Sequence, residues 1–447
     1  MKIKKVKWKN HPILGDLEID FMNSSTGVPF ETILFAGENG TGKTTILENI
    51  STFLNRGSFE YFEYIEYIIN WKNYKAIPSD HSVKDFYKMV DNNGIITNVH
   101  TNKSNNTHLI DTNTLDIRHY GCVFSKARAD YKTTKIISTT TKALDLEKYD
   151  IDQDDDFTSS KQLIVDVQNR DNSDYAEINK NLGATPKAWD EFYISSNIYR
   201  FKNAFDNFFE KLKYDKVADN NSEKEILFKK NNKSISIDKL STGEKQIVFR
   251  GIYLLQNNKK LNGSAIMVDE PELSMHPKWQ KNILKYYKDL FTEANTQKTQ
   301  LFIATHSEHV LIDALKDKTK NLVIALNDIN GVIHAKRIDA PSVLPSITSA
   351  ETSYLAFEII SNDYHIELYG WLQQKKSKNT IKSCDDYIKN HPLYNSRLHS
   401  KNSSFGTITY FTISTFIRNA INHPDQNRTF TESELKISIE LLIQLCR

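Results

Sequence analysis

The sequence has few cysteines and no long apolar run. Its 447 residues include three cysteines, Cys122, Cys384 and Cys446, which lie far apart and form no C-x-x-C pair. This spacing disfavours a disulfide framework and a zinc ribbon. No stretch approaches the roughly 18 apolar residues of a membrane-spanning helix, and the first residues lack a signal-peptide pattern. We therefore expect a cytoplasmic protein with no membrane partner.

An excess of charge of one sign is also missing. The formal net charge is +2, so the chain as a whole does not indicate a strongly basic nucleic-acid-binding domain. Positive charge is concentrated between Trp371 and Phe405, where aromatic residues are interleaved. This run fits a phosphate-facing surface or an ordinary solvated helix face. Its members are Lys375, Lys376, Lys378, Lys382, Lys389, Arg397 and Lys401, against Asp385 and Asp386, with Tyr387, Tyr394 and His399 between them.

A glycine-rich loop follows an apolar run near the amino terminus. Residues 37–44 read GENGTGKT, which matches G-x-x-x-x-G-K-[ST], and residues 32–36 predict a buried strand before it. Backbone N–H groups of such a loop surround phosphate, and its hydroxyl binds Mg²⁺. We therefore expect ATP and Mg²⁺ as cofactors. The predicted binding residues are Gly37, Asn39, Gly40, Thr41, Gly42, Lys43, Thr44 and Thr45, with Thr44 also a metal ligand.

Two later apolar runs end in polar residues. Residues 265–268 predict a buried strand that delivers Asp269 and Glu270 to its carboxyl end, where parallel sheets place ligands. Asp269 is predicted to hold Mg²⁺, and Glu270 to polarise the water that attacks the γ-phosphate. Residues 301–304 predict a further strand with His306 near its tip, which suits a γ-phosphate contact.

Residues 240–244 read LSTGE and precede the acidic pair. Ser241 here is a typical helix cap, and a helix N-terminus is also an anion site. With the other three segments, this order resembles the ABC-type ATPases of the SMC, RecF and OLD kind, including PtuA-like proteins. In such families this segment completes the ATP site of the opposite protomer. The resemblance therefore implies that Ser241, Gly243 and Glu244 act across a head-to-tail homodimer, with higher oligomers left open.

The resemblance covers residues 1–340 and implies an α/β ABC-type head. We expect a mixed sheet with a P-loop core, an antiparallel subdomain and a helical arm inserted at about 56–200, where the aromatic-rich residues 59–65 read as helix. The chain between Lys43 and Ser241 is too short and too poor in heptads for an SMC coiled coil. A linker then leads to a small all-α domain at 341–447, with helices predicted over residues 354–374, 409–422 and 432–445.

The C-terminal domain carries a second candidate site. Residues 418–423 read RNAINH, an R-x(4)-H motif in the R-N-x-x-x-H form that resembles HEPN ribonucleases. That resemblance implies Arg418, Asn419 and His423 as catalytic residues of a metal-independent RNase. The histidine would move a proton while the arginine stabilises the charged phosphorane. The helix dipole alone also favours arginine and histidine near a helix C-terminus.

The two parts together resemble the anticodon nucleases of the PrrC and RloC kind. The first hypothesis is an ATPase of bacterial antiphage defence whose nucleotide state gates a toxic C-terminal RNase acting on RNA, such as tRNA. The second is a non-nuclease ATPase sensor or scaffold for a separately encoded nuclease or retron component, as in PtuA–PtuB and PARIS systems. The third is a RecF-like DNA-repair ATPase.

Overall fold

The chain folds as two compact units, residues 1–335 and 336–447. The computed structural model describes residues 1–56, 59–80, 87–99, 113–146, 157–182, 187–220, 222–338, 341–424 and 428–447. Among these residues, no helix has the length and apolar character needed to cross a membrane.

Both units combine strands with helices. The strands are β1 (Lys2–Trp8), β2 (Glu18–Asp20), β3 (Met22–Asn23), β4 (Val28–Pro29), β5 (Thr32–Gly37), β6 (Phe62–Ile69), β7 (Lys72–Pro78), β8 (Tyr87–Val90), β9 (Ile96–Val99), β10 (Cys122–Ser125), β11 (Leu212–Asn220), β12 (Glu223–Lys230), β13 (Lys233–Ser236), β14 (Ala265–Asp269), β15 (Thr292–Glu293), β16 (Thr296–Gln297), β17 (Gln300–Ala304), β18 (Asn321–Ile329), β19 (Val332–Arg337), β20 (Ser400–Phe405) and β21 (Ile408–Thr412). The helices are α1 (Lys43–Arg56), α2 (Ile117–Tyr120), α3 (Thr158–Leu182), α4 (Trp189–Tyr193), α5 (Asn197–Phe208), α6 (Thr242–Leu255), α7 (Pro277–Asp289), α8 (Glu308–Leu315), α9 (Ser349–Phe357), α10 (Asn362–Lys375), α11 (Ile381–Lys389), α12 (Ser396–His399), α13 (Ile413–Asn422) and α14 (Glu432–Cys446).

The first unit is built around a six-stranded sheet in the order β10-β14-β17-β5-β18-β19. Strands β5, β14 and β17 are buried at every residue, as expected for parallel strands that are covered on both faces. The register aligns Asp269 with Ala304, and Ala304 with Phe35. The carboxyl ends of these three strands therefore meet at one edge of the sheet.

A second six-stranded sheet, β2-β1-β6-β7-β8-β9, lies in the same unit and is antiparallel. One core cluster joins side chains of both sheets and α1, including Trp8, Phe35, Phe53 and Phe62. The helix predicted over residues 59–65 is wrong, since β6 pairs there with β1 and β7. Its aromatic and β-branched residues fit a pleated surface better than a helix.

The C-terminal unit has its own apolar core, to which α10, α13 and α14 contribute. The prediction that it is all-α is wrong, because β20 and β21 form a hairpin. The helix predicted over residues 409–422 begins only after Thr412, whose side chain caps it by accepting a hydrogen bond from the Thr415 N–H. The helix predicted over 354–374 is divided at Glu358, whose left-handed φ of 56° ends α9.

Candidate nucleotide site

The loop between β5 and α1 has a backbone that depends on glycine. Gly37 has φ of 145°, and a Cβ atom there would lie 2.3 Å from the Leu326 carbonyl oxygen. Gly42 has φ of 86°, and a Cβ atom would lie 2.5 Å from Leu14. Gly40 also has a positive φ of 85°, but open space surrounds its Cβ position. Packing therefore fixes two of the three glycines, and the third faces space that a phosphate can enter.

Lys43 lies against the inner side of this loop. Its Nζ donates to the carbonyl oxygens of Gly37 at 2.9 Å and Glu38 at 2.7 Å, and the side chain is buried. Burial lowers the pKa of Lys43, while the carboxylates of the site oppose that shift. The Thr41 hydroxyl donates to the Glu38 carbonyl at 2.8 Å. Among the other predicted loop residues, Asn39 is exposed and Thr45 is half-buried.

Thr44 and Asp269, the predicted metal ligands, are brought together from 225 positions apart. The Thr44 hydroxyl lies 3.0 Å from Asp269 Oδ2 and 3.2 Å from Oδ1. Burial raises the pKa of Asp269 to about 6, against the effect of the Thr44 hydrogen bond, and the nearby Glu270 charge adds to the rise. Mg²⁺ is held in proteins by one or two such oxygen ligands together with substrate phosphates. A buried carboxylate beside a loop hydroxyl fits that ion.

Glu270 and His306 face each other across the tips of β14 and β17. Glu270 has a left-handed φ of 44°, and its N–H donates to the Ala304 carbonyl at 2.9 Å. The Glu270 carboxylate lies 3.6 Å from His306 Nε2. Burial lowers the pKa of His306, Lys43 lowers it further, and Glu270 opposes both. Burial and the nearby ammonium group thus both disfavour the charged form of the imidazole.

Two residues that support this edge were not identified from the sequence. Glu272 accepts a 2.7 Å hydrogen bond from the His306 N–H. Arg250 is buried within α6, and its guanidinium donates to the Asp269 carbonyl at 2.7 Å and to the Lys126 carbonyl. A charged residue inside the apolar run VFRGIYLL is the signal that could have revealed Arg250.

The LSTGE segment starts α6. Ser241 caps the helix in a capping box with Glu244, and Lys230 pairs with the Glu244 carboxylate at 2.6 Å. Gly243 is buried, and a Cβ atom there would lie 2.7 Å from the Ser274 carbonyl oxygen. The helix predicted from this segment is confirmed, and Ser241 is exposed at its tip. Its action across a dimer stays a prediction.

The second candidate site lies at the end of α13. Arg418 Nη1 donates to Asn419 Oδ1 at 3.1 Å, and Asn419 is buried. His423 is exposed, and its backbone N–H ends the helix by donating to the Asn419 carbonyl at 2.9 Å. The structure thus joins Arg418 to Asn419 through their side chains, and the catalytic roles stay predictions.

Comparison with known proteins matches residues 99–313, a little under half of the chain, to the family "AAA domain, putative AbiEii toxin, Type IV TA system". The Retron Ec83 probable ATPase of Escherichia coli is 35% identical over 95 residues, which are 19% of this chain and 17% of that protein. The Retron Vc95 probable ATPase of Vibrio cholerae serotype O1 biovar El Tor is 33% identical over 100 residues, 20% of this chain and 18% of that protein. The chain therefore matches under a fifth of the length of these curated relatives.

The structure of the chain is weakly similar to solved structures of SMC head domains. A SmcHead bound to the C-winged helix domain of ScpA gives a TM-score of 0.41 at 14% identity, covering 76% of this chain and 98% of that one. The SMC head domain from Thermotoga maritima gives 0.36 at 14% identity, covering 76% and 99%. Scores at this level decide nothing about function. The sheet order and the matched AAA region confirm the predicted α/β ATPase-head fold.

Proposed function

We propose that this protein is an ATPase that binds MgATP between two copies of itself and acts in bacterial antiphage defence. The observation that carries the proposal is the meeting of Thr44, Asp269 and Glu270 at one edge of the core sheet. A loop hydroxyl and a strand-tip aspartate hold Mg²⁺ in this class of site. The similarity of short segments to retron probable ATPases supports the defence setting.

In this function, the loop N–H groups and Lys43 bind the phosphates. Lys43 exchanges its two carbonyl acceptors for phosphate oxygens, which compensate its charge better than neutral carbonyls do. Glu270 polarises the attacking water, and His306 contacts the γ-phosphate. Mg²⁺, when bound by Thr44 and Asp269, neutralises the charge that develops on the phosphates.

The LSTGE segment, residues 240–244, supports the proposal of a dimer. Ser241 is exposed at the N-terminus of a helix of 14 residues, where backbone N–H groups and the helix dipole favour an anion. ATP bound to a second copy can present its γ-phosphate to the N-terminus of this helix. The capping box with Glu244 fixes the conformation of this helix end.

The test of the ATPase dimer uses Glu270→Gln, which should bind MgATP without turning it over. Light scattering should show the mass doubling on addition of MgATP. Adding Ser241→Arg should abolish the doubling, whereas Asn379→Arg, the same charge at an exposed position of the other unit, should not. A constant mass in Glu270→Gln with MgATP contradicts the dimer.

We further propose that the nucleotide state gates an RNase at Arg418, Asn419 and His423. Arg418 is partly exposed and His423 is exposed, so both can reach an RNA backbone. Total RNA should be profiled after induced expression of the wild type, His423→Ala and the control His334→Ala, an exposed histidine of the other unit. Cleavage that persists in His423→Ala contradicts the RNase assignment.

A second candidate function is an ATPase sensor that controls a separately encoded nuclease or retron component. Its supporting observation is Asn419, which is buried and engaged by Arg418, so that this amide is not free for a substrate. Nucleotide-dependent dimerisation without RNA cleavage is its expected signature.

A further inference from the structure

The surface along α11 gathers ammonium groups around two aromatic rings. We define the α11 surface as Lys376, Lys378 and Lys389 together with the rings of Tyr387 and Phe411. Lys376 Nζ lies 6.0 Å and Lys378 Nζ 5.5 Å from the centroid of Tyr387. Lys389 Nζ lies 3.6 Å from the centroid of Phe411, which Lys382 also approaches, at 4.7 Å.

The three lysines of the α11 surface have no ion-pair partner among the described residues. The two aspartates of the helix are occupied elsewhere. Asp385 is buried and accepts hydrogen bonds from the N–H groups of Phe411 and Thr412 at 2.9 and 3.0 Å. Asp386 pairs with Lys382 at 2.8 Å. The positive charges of Lys376, Lys378 and Lys389 are therefore not balanced by an ion pair within the described residues, unlike those of Lys382 and Lys401.

Contact with an aromatic face positions an ammonium group without neutralising it. The ring offers a quadrupole and not a counter-charge, so the N–H donors that point away from the ring stay available to an anion from solvent. Lys389 is exposed, and Lys376 and Lys378 are partly exposed. The rings therefore position all three ammonium groups, and each ammonium group can still bind an anion.

Three ammonium groups on one surface, without ion-pair partners in the part of the chain that the structure describes, favour a ligand with repeated negative charges. Lys376 and Lys378 adjoin the ring of Tyr387, and Lys389 adjoins the ring of Phe411, so the three ammonium groups are held against two different rings. One strand of a duplex carries one phosphate charge for about every 3.4 Å of helix axis, so it presents several charges in succession to such a surface.

We infer that the α11 surface binds the phosphate backbone of a nucleic acid strand. Lysine acts on phosphate as a point charge that reads no base, so such a surface contacts the backbone of a strand and not its sequence. Such binding goes beyond the proposed RNase, because it requires no cleavage.

The test measures fluorescence anisotropy of labelled 20-nucleotide RNA, DNA and duplex DNA with the full-length chain. Arg418→Ala/His423→Ala serves as the parent, so that no strand is cut. The test variant adds Lys376→Ala, Lys378→Ala and Lys389→Ala. The matched control adds Lys224→Ala, Lys285→Ala and Lys316→Ala, which removes the same charge from lysines that already pair with aspartates.

The parent should bind at least one strand, with an affinity that falls as salt rises. The test variant should lose about tenfold or more in affinity, and its slope of log K against log salt should be shallower by about 2 for a single strand. The control should bind like the parent. The three probes identify RNA, DNA or both as the source of the backbone. The inference would be overturned if the parent bound no strand, or if the test variant and the control lost the same affinity. It would also be overturned if polyglutamate displaced the labelled strand as well as unlabelled nucleic acid does.

Failure of this surface can be told from failure of the proposed function. Binding of MgATP and ATP turnover are measured on the same test variant, whose three lysines lie outside the nucleotide site. Both should equal those of the parent. Lost strand binding with intact turnover supports the α11 surface, and a joint loss of both overturns it.

Discussion

The Glu272 carboxylate accepts a 2.7 Å hydrogen bond from the His306 N–H and so joins the loops that follow β14 and β17. Burial raises the pKa of Glu272, and the hydrogen bonds from His306 and Thr305 oppose that rise. Glu272 is therefore a positioning residue. It holds the backbone of His306, whose Nε2 lies 3.6 Å from the Glu270 carboxylate.

Replacing Glu272 should affect turnover more than nucleotide binding. Glu272→Ala removes the acceptor, lets the His306 loop move and should lower kcat by about 10- to 100-fold. Glu272→Gln keeps an oxygen acceptor and should retain most activity. Steady-state hydrolysis and binding of a fluorescent nucleotide measure the two effects. Equal kcat values for the alanine variant and the wild type would show that the contact is dispensable.

Asp269 should make the nucleotide-free protein less stable at neutral pH. Its folded-state pKa of about 6 lies above the ordinary 3.8, so the free energy of unfolding falls as pH rises between these values. Asp269→Asn keeps an acceptor for Thr44 without the charge. It should stabilise the nucleotide-free protein at pH 7.5 by roughly 1–3 kcal/mol, and by progressively less as pH falls below 6.

Urea unfolding with and without MgATP measures this effect. MgATP should stabilise the wild type and leave Asp269→Asn nearly unchanged, because the variant lacks the charge that holds Mg²⁺. Asp289→Asn removes an exposed aspartate paired with Lys285 and should change stability by less than about 1 kcal/mol. An Asp269→Asn variant less stable than the wild type at every pH would contradict this effect of burial.

Removing the Arg250 side chain should destabilise the first unit. Arg250→Met leaves the buried carbonyl of Asp269 and the partly buried carbonyl of Lys126 without this donor, which should cost about 2–4 kcal/mol in urea unfolding. Lys245→Met, on the same helix but half-exposed, should stay within about 0.5 kcal/mol of the wild type. A similar small effect for both variants would show that the carbonyls find other donors.

Asp385 should matter more to the C-terminal unit than its neighbour Asp386. The buried Asp385 accepts from the Phe411 N–H, the Thr412 N–H and the Thr412 hydroxyl, and so ties α11 to the start of α13. Asp385→Ala should cost about 2–4 kcal/mol, and Asp386→Ala less than about 1 kcal/mol. Circular dichroism during urea unfolding provides the comparison, and equal costs would refute the role of Asp385.

The meeting of Thr44 and Asp269 could be predicted, because Asp269 ends one apolar run and Thr44 follows the loop after another. Strands buried on both faces read as continuous apolar segments, and the register of parallel strands fixes which tips meet. Thr44 and Asp269 could thus be paired from the sequence alone. Glu272 and Arg250 could not, because a hydrogen bond to a backbone group leaves no pattern along the chain.

The remaining errors have local causes. Residues 59–65 and 409–412 combine aromatic and β-branched side chains, which suit strands, in runs short enough to resemble a helical face. Pairing partners decided both cases: β1 and β7 for the first, and β20 for the second. The helix breaks at Glu358 because its backbone is left-handed, and a glutamate in the sequence does not predict that conformation.

The Ser241 hydroxyl has one proton, and in the free chain it lies 2.9 Å from Glu244 Oε2. In the proposed dimer, a phosphate of ATP bound to the second copy can accept a hydrogen bond from this hydroxyl only if the hydrogen bond to Glu244 breaks. The Ser241 hydroxyl would therefore exchange the Glu244 carboxylate for the phosphate as its acceptor. Lys230 Nζ lies 2.6 Å from the Glu244 carboxylate, so the charge of Glu244 would still be paired after this exchange.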